Sequence, residues 1–563
     1  HKAAVTRRFY KSGKTTQQSG SSEKGAIKMI RYYLKMHHKY IIVFFLTTVP
    51  LAFLAPYKSH VMQWIIDSKS PKEIPAILSL GALIFLSVFF LQLTGKNLFS
   101  KISTNISASL RNDLIQKLLA RDMGEFSIED HGRYLSNLTA DVQAIQNEIL
   151  LPLYNISLYG SMLFFTLILL WNINPVFFVT AVVMAIFPAL LPKLFAHPLT
   201  NLRNSFSKEN GKYTTVAKDI LGGFETIRSF GADKEIIKQH DNASMQLSSK
   251  EYMYNKMVNL NDNLTSFVGH VAFFSFLAIG ALLVLDGKIT MGYLVTATNL
   301  INFTLQPVQI ISQSISKIIG AKCIHQRLLK ILTEHVDEKQ INHDVDLNGD
   351  LLLENVSFSY PNVQEKTLQH CTYRFEFGKK YAIAGASGSG KSTLAKLLTC
   401  LYREYDGTIS YGGTDIQAIS SSSYARIIAM IPQRVFLFNG SIADNITLFS
   451  HCWDDNEILA IAEKAGLSDL ISKLPNGIHT TILDNNLSGG QAQRIGIARA
   501  LIREPKILIA DESTSSLDNK LANDIEQTLL SYNGTSIIIS HRQSTAMWEH
   551  VDKVLHMDHG RLL

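Results

Sequence analysis

The chain has 563 residues, 46% of them hydrophobic, a formal net charge of +7 and four cysteines. Its length provides for two or three domains, and a positive mean hydropathy of +0.10 excludes an ordinary soluble protein with its apolar residues spread evenly. Cys323, Cys371, Cys400 and Cys452 have no paired spacing, which excludes a disulfide framework and a zinc site and leaves free thiols in a reducing compartment.

Residues 1–30 read as a basic, disordered tail, with Lys2, Arg7, Arg8, Lys11, Lys14, Lys24 and Lys28. Such a tail suits nucleic acid or the inner face of a membrane. Because it abuts the first apolar run it reads as a positive-inside anchor, and no nucleic-acid partner is expected. Six apolar stretches follow, near 40–57, 75–97, 149–171, 174–195, 264–286 and 291–320, each near the ~20 residues that cross a bilayer. They predict a transmembrane domain over 31–328. The links Trp171–Pro175 and Asp286–Thr290 are short, whereas 98–148 and 196–262 are long and charged. With the basic terminus inside, three tight ends lie outside, two long connections lie inside, and the chain returns to the cytosol.

The long connections carry helical patterning. They read as helices that outrun the bilayer and turn through elbows at Ala120–Leu135 and Asp219–Phe230; solvated loops are the alternative. Charges within the spans are sparse: His270 in the fifth, Lys193 near the inner end of the fourth. His270 reads as an interhelical hydrogen-bond partner or cavity wall before a proton ligand. No chain of intramembrane carboxylates is present, so the energy for any transport comes from outside the membrane.

Residues 329–350 read as a linker and 351–563 as a soluble α/β domain. Leu351–Tyr360 alternates as a strand; Tyr360 reads as a core residue or an adenine platform. Lys380–Ala384 is a short strand running into Gly385-Ala386-Ser387-Gly388-Ser389-Gly390-Lys391-Ser392-Thr393. These glycines let backbone N–H groups wrap a phosphate chain. Lys391 reaches the terminal phosphates, Ser392 offers a hydroxyl to Mg²⁺, and a helix opening at Thr393 turns its positive end to the same anion. Lys506–Glu512 reads as a buried parallel strand tipped by Asp511, suited to hold Mg²⁺, and Glu512, suited to polarise water. Ser536–His541 is a third such strand, with His541 at the same edge. Gln433 follows Met430-Ile431-Pro432 on a loop that reaches metal or water. Leu487-Ser488-Gly489-Gly490-Gln491 is a glycine-rich turn about a hundred residues past the phosphate loop.

In this order and spacing the motifs resemble those of the ATP-binding cassette transporters, in particular the exporter-type (type IV) half-transporters. The resemblance covers residue 30 to the C-terminus and implies an α-helical membrane domain of six transmembrane helices with long cytosolic extensions, plus an α/β P-loop NTPase cassette with a helical subdomain. It implies ATP and Mg²⁺ as ligands. Tyr360 then stacks on adenine, and Gln433 is the loop glutamine that senses nucleotide and touches the metal. Ser488, Gly489, Gly490 and Gln491 form the signature presented to the γ-phosphate held by the other subunit. Asp511 and Glu512 are the metal-holding and catalytic carboxylates, Ser515–Asp518 the loop crossing the dimer interface, and His541 the switch histidine. Gly132–Asp141 and Gly223–Ala232 match the exporters' coupling regions.

The chain departs from the pattern at Ser516, at Ala510, and at Gly477–Asn486, where the family's Gly-Glu-rich loop is missing and Asp484 stands in for its Glu. A second half-transporter is required as partner. The intact Glu512, His541 and signature suit a homodimer; a heterodimer with a degenerate partner is the alternative. The implied activity is ATP hydrolysis driving export of an amphipathic peptide, lipid or drug-like molecule across a plasma (inner) membrane. An importer of metal–siderophore or vitamin, or an ATP-gated channel or sensor, are the other readings. No Cys/His peptidase precedes the first span, so leader cleavage is not expected.

Overall fold

In this computed structural model, residues 33, 36 and 38–563 are described, except 128, 130, 334–348, 362, 364, 483–486, 515–518 and 541–549. The expected tail 1–30, most of the expected linker, and Asp484, Ser516, Asp518 and His541 therefore lie outside the described residues. The chain divides into two compact units, residues up to 116 with 135–334, and 117–134 with 335–563.

The first unit is helical: α1 (His38–Tyr57), α2 (His60–Ile66), α3 (Ile74–Leu119), α4 (Leu151–Ile173), α5 (Pro175–Gly222), α6 (Asp233–Leu285) and α7 (Met291–Gly320). Each of the six expected spans falls on one of these helices. Among the described residues, four runs are long and apolar enough to cross a bilayer, Ile42–Ile66, Ile74–Leu119, Gly132–Ile173 and Asp233–Leu285, and α5 adds a shorter apolar stretch, Pro175–Ile186. The first expected span, 40–57, ends where α1 ends, at Tyr57. Its apolar run continues to Ile66, across a break at Lys58 and Ser59 between α1 and α2. Lys58 thus lies inside a run whose length and composition would let it cross a bilayer.

Fully apolar helices need small residues and rings to pack closely where no water drives them together. Phe177 of α5 and Phe276 of α6, both fully buried, stack 4.9 Å apart. Gly280 leaves room for them, since a Cβ there would lie 2.4 Å from Leu294. Asn174 caps α5 by accepting from the Val176 N–H at 2.9 Å, and Pro175 fits the first helical position because its missing N–H needs no partner there.

The connection after α2 is tied back to α7 by one carboxylate. Asp67 accepts from the Thr290 hydroxyl at 2.7 Å and from the Gly292 N–H at 3.2 Å. A Cβ on Gly292 would stand 2.5 Å from that carboxylate. Gly292→Ala is therefore expected to eject Asp67 and cost about 1–3 kcal/mol, read as a fall in the thermal midpoint of the reconstituted protein. Asp67→Asn, which keeps an acceptor, is expected to cost less.

The helical extensions are continuous. α3 runs 46 residues and α6 53 residues without a break. Both expected elbows are short helices rather than loops: Met123–Ser127, and Phe224–Phe230 ended by left-handed Gly231 at φ 65°. The first elbow groups with the soluble unit, where the Met123 N–H donates to the Leu401 carbonyl at 2.9 Å. Between residues 131 and 151 the helix contains two π turns, Asn137–Asp141 and Gln146–Leu150, which the helical periodicity did not signal. Helix Lys322–Thr333 crosses position 329, where the linker was expected to begin. His270 is exposed on α6.

The second unit is α/β. β1 (Leu351–Phe358), β2 (Leu368–Phe375), β4 (Asp406–Tyr411) and β5 (Thr414–Asp415) form an antiparallel sheet in the order β2-β1-β4-β5. The central sheet has the order β10-β9-β3-β8-β7-β6, where β3 is Lys380–Ala384, β6 Ile428–Ile431, β7 Ile507–Asp511, β8 Thr535–Ile539, β9 Lys553–Asp558 and β10 Arg561–Leu562. Its inner strands β3, β8 and β7 pair in parallel. β7 and β8 are buried at every residue, as strands covered on both faces must be. Tyr360 lies just beyond the end of β1, and Glu512 and Ser540 just beyond β7 and β8.

Candidate functional site

Parallel strands deliver their C-terminal ends to one edge, where open α/β sheets place their ligands. The register sets Ile539 opposite Ile383 and Asp511 opposite Ile539, so the loop after β3, the two carboxylates after β7 and the residue before His541 converge there.

The loop Gly385–Gly390 has φ values of 155°, 81° and 105° at Gly385, Gly388 and Gly390. A side chain at Gly385 would put its Cβ 2.2 Å from the Met557 carbonyl oxygen, and one at Gly390 would meet Leu368 at 2.9 Å, whereas Gly388 faces open space. The glycines at 385 and 390 are thus fixed by close backbone approach as well as by conformation. α8 (Lys391–Leu398) starts directly after the loop. Ser389 is buried, and among the described residues its hydroxyl has no hydrogen-bond partner. An orphaned buried hydroxyl in a loop opening a helix fits a phosphate that would satisfy it.

Lys391, 4% exposed, donates to the Gly385 and Ala386 carbonyls at 2.9 and 2.8 Å. Burial pulls its ammonium below the ordinary lysine range, opposed by Glu512 and Asp511. The Ser392 hydroxyl donates to Asp511 at 3.0 Å. Burial raises the Asp511 carboxyl above the ordinary range, opposed by that hydrogen bond. Gln433, exposed on the loop after β6, donates through Nε2 to Glu512 Oε2 at 2.5 Å. Glu512 itself is left-handed, at φ 48°, its N–H held by the Ile539 carbonyl at 2.9 Å. A non-glycine in that region costs of order 1–3 kcal/mol, and here the strain aims a carboxylate past the end of the sheet.

One hydroxyl and one carboxylate in contact suit Mg²⁺, which keeps waters and phosphate oxygens as its other ligands. No cluster of three His, Cys, Asp or Glu side chains suited to a metal occurs among the described residues. Tyr360 is half-buried against Phe358 and Tyr402, both ring centroids within 5.5 Å, and its hydroxyl lies 2.9 Å from the Thr393 hydroxyl. That bond ties the aromatic to the first turn of α8.

The glycine turn opens another helix, α9 (Gly489–Leu501). Ser488 caps it by accepting from the Gln491 N–H at 3.3 Å, while Gln491 Oε1 accepts from the Ser488 N–H at 2.8 Å. This capping box satisfies two orphan donors and leaves Ser488 and Gly489 exposed.

Two residues on α9 escaped the sequence reading. Arg499 donates to the Asn445 carbonyl at 2.9 Å and the Phe436 carbonyl at 3.1 Å, bracing the segment after Gln433. Gln493, 2% exposed, donates to the Glu512 carbonyl at 3.2 Å. Only long-range pairing reveals them, since each reads as a polar helix residue. Gln493→Leu is expected to lower ATPase turnover several-fold with nucleotide KM little changed, in steady-state assays, because it removes a support of the carboxylate rather than a ligand contact.

Apolar helices that cross a membrane, fused to a phosphate-loop cassette, define an ATP-hydrolysing membrane transporter. The family profile described as ABC transporter transmembrane region matches residues 39–308, and that described as ABC transporter matches residues 368–515. The chain is 30% identical over 481 residues to the ATP-dependent lipid A-core flippase of Haemophilus influenzae (strain ATCC 51907), covering 82% of this chain and 79% of that protein. It is 28% identical over 472 residues to the flippase of the same name from Mannheimia succiniciproducens, covering 82% and 80%. It is 32% identical over 373 residues to the lactococcin-G-processing and transport ATP-binding protein LagD of Lactococcus lactis, covering 64% of this chain and 53% of that longer protein. Among solved structures, a bacterial Atm1-family ABC exporter with ATP bound superposes with a TM-score of 0.79 at 23% identity, over 95% of this chain and 94% of that one. The chain belongs to the ABC transporter family.

Proposed function

We propose that this chain is one half of a homodimeric exporter that uses ATP to move amphipathic molecules out across the inner membrane. The observation that carries the reading is the pairing of Ser392 with Asp511 and of Gln433 with Glu512 beside a phosphate loop whose buried Ser389 hydroxyl lacks a partner. Lys391 leaves its two loop carbonyls for the terminal phosphates. Ser392, Asp511 and Gln433 would hold Mg²⁺, which when bound neutralises phosphate charge. Glu512 orients the attacking water and accepts its proton. Tyr360 packs beside adenine. His541 contributes to the same edge by the resemblance of its motif. Ser488, Gly489, Gly490 and Gln491 of a second copy cover the open face of the nucleotide, so that each copy supplies half of each site.

Six crossings, with the N-terminus and cassette cytosolic, suit the basic residues before α1 and the supply of ATP. The domain division 31–328, 329–350 and 351–563 goes with that topology. The second elbow carries the exposed apolar residues Leu221, Phe224 and Phe230. Relatives named for lipid A-core flipping and for lactococcin G transport support an amphipathic cargo. In inside-out proteoliposomes, ATP is expected to drive accumulation of a labelled amphiphile. Accumulation only in right-side-out vesicles, with ATP enclosed, would reverse the direction; absence of steady ATPase activity would favour a gate or sensor.

A further inference from the structure

A charge inside a membrane span is expensive and is kept where it is paired or where it serves a pathway. Lys58 stands in the apolar run Ile42–Ile66, eight residues before its end, about 12 Å along a helix. Its Nζ lies 5.6 Å from the centroid of Phe85 on α3 and 5.7 Å from that of Phe303 on α7. The cation is therefore shared by three elements of the helical unit. Among the described residues these rings are its partners, and no carboxylate pairs with it. Asp67, on the same connection, is already engaged by Thr290 and Gly292.

Two ring faces stabilise an ammonium but offer it no oxygen acceptor, so they leave its N–H donors free for an anion. The backbone beside it is interrupted and fixed. α1 stops at Tyr57, α2 begins at His60, and the fully buried Thr296 hydroxyl donates to the Ser59 carbonyl at 3.2 Å. An aromatic strip continues from the break. Phe53 stacks on Tyr57 at 5.3 Å and meets Phe165 at 5.5 Å, and Tyr57 meets Trp64 at 6.1 Å. A held cation next to an aromatic strip matches a molecule with an anionic head and an apolar body.

We infer that Lys58, framed by Phe85 and Phe303, is a headgroup subsite for the phosphate, sulfate or carboxylate of an anionic amphiphile, and that it sets the charge class of the cargo. This rests on the reading of the protein as a transporter of amphipathic molecules. The competing role for Lys58 is a side chain that anchors the span by reaching toward the interface, which would carry no preference among cargo charges.

The full-length protein in phosphatidylcholine nanodiscs is titrated with monododecyl phosphate, dodecyl maltoside or dodecyltrimethylammonium while ATPase activity is followed. A second set of discs contains phosphatidylglycerol and no added amphiphile. Half-maximal stimulation is expected at a concentration about tenfold lower for the phosphate than for the maltoside, the worth of one charge-assisted hydrogen bond. Lys58→Gln is expected to erase that gap and Lys58→Glu to shift the preference to the cationic amphiphile. Lys58→Arg is expected to keep it, as is Lys288→Gln, whose ammonium is paired with Asp286 at 3.1 Å in a connecting turn.

Lys58→Cys should regain the gap on reaction with aminoethyl methanethiosulfonate and not with the neutral methyl reagent. This comparison is made within one folded protein. Stimulation by phosphatidylglycerol that is lost in Lys58→Gln assigns the subsite to a bilayer lipid; stimulation by the phosphate amphiphile alone assigns it to a free one. An undiminished gap in Lys58→Gln overturns the subsite and leaves the transporter reading standing. A parent protein that hydrolyses ATP but responds to no amphiphile overturns the cargo reading and the subsite with it.

Discussion

Replacing Glu512 by glutamine is expected to lower ATPase turnover by about 10²–10⁴-fold, the range for loss of a general base, while nucleotide affinity stays within a few-fold of the parent. The amide keeps the size of the side chain and keeps an oxygen for Gln433, whose Nε2 now meets Glu512 Oε2 at 2.5 Å. What it loses is the ability to take a proton from water. Because the left-handed backbone at φ 48° and the hydrogen bond from its N–H to Ile539 do not depend on the carboxylate, the edge of the sheet should hold its shape. The expected signature is slow release of bound nucleotide together with lost phosphate production. Turnover at the parent rate would show that another group activates the water.

Gly385→Ala is expected to be the most damaging single change in the cassette. Its Cβ would stand 2.2 Å from the Met557 carbonyl and 2.9 Å from Ser389 Oγ, at a φ of 155° that side chains rarely adopt. The loop must lift from β9, which displaces its backbone amides and the Lys391 ammonium held on the Gly385 and Ala386 carbonyls; on the proposed reading these are the groups that receive phosphate. A loss of at least about 2 kcal/mol in stability and of about 100-fold or more in nucleotide affinity should follow, read by thermal unfolding and by fluorescent-nucleotide titration of the intact protein. Gly388→Ala makes the control. Its φ is also positive, 81°, but its Cβ would meet nothing within 4 Å, so it carries the backbone cost alone, about 1 kcal/mol. Equal effects at the two positions would show that conformation, and not the approach of Met557, sets the demand for glycine.

The contrast between the two units explains what could be read from sequence. The loop over Gly385–Gly390 and the strand end at Asp511 were legible because close backbone approach and positive φ at Gly385 and Gly390 admit few residue types, and the strand before Asp511 is an unbroken buried run. Strand ends were placed within one or two residues because a buried parallel strand is an unbroken apolar run. Tyr360 was ambiguous between a core residue and an adenine platform; its ring packs against core aromatics and its hydroxyl reaches Thr393 in the first turn of α8.

The helical unit was legible as helices but not in their interruptions. In sequence the charge at Lys58 closes the first apolar stretch at Tyr57, whereas the helices on either side of it carry an apolar run from Ile42 to Ile66. The two π turns before α4 were not read from the pattern either, since each spans only five residues, too few to set a period of their own. Gln493 and Arg499 were invisible for a different reason: their partners lie 19 residues away or more in the chain, and only the fold brings them together.

The most direct test of the account is whether the phosphate loop of one copy meets the glycine turn of another. Two differently tagged copies, one carrying Ser387→Cys and the other Ser488→Cys, both with Glu512→Gln and the four native cysteines replaced, are reconstituted together and oxidised with and without ATP. A disulfide joining the two tags, formed when ATP is added and absent without it, is the predicted result. If no inter-copy link forms under ATP while each copy still binds nucleotide, the shared site is contradicted.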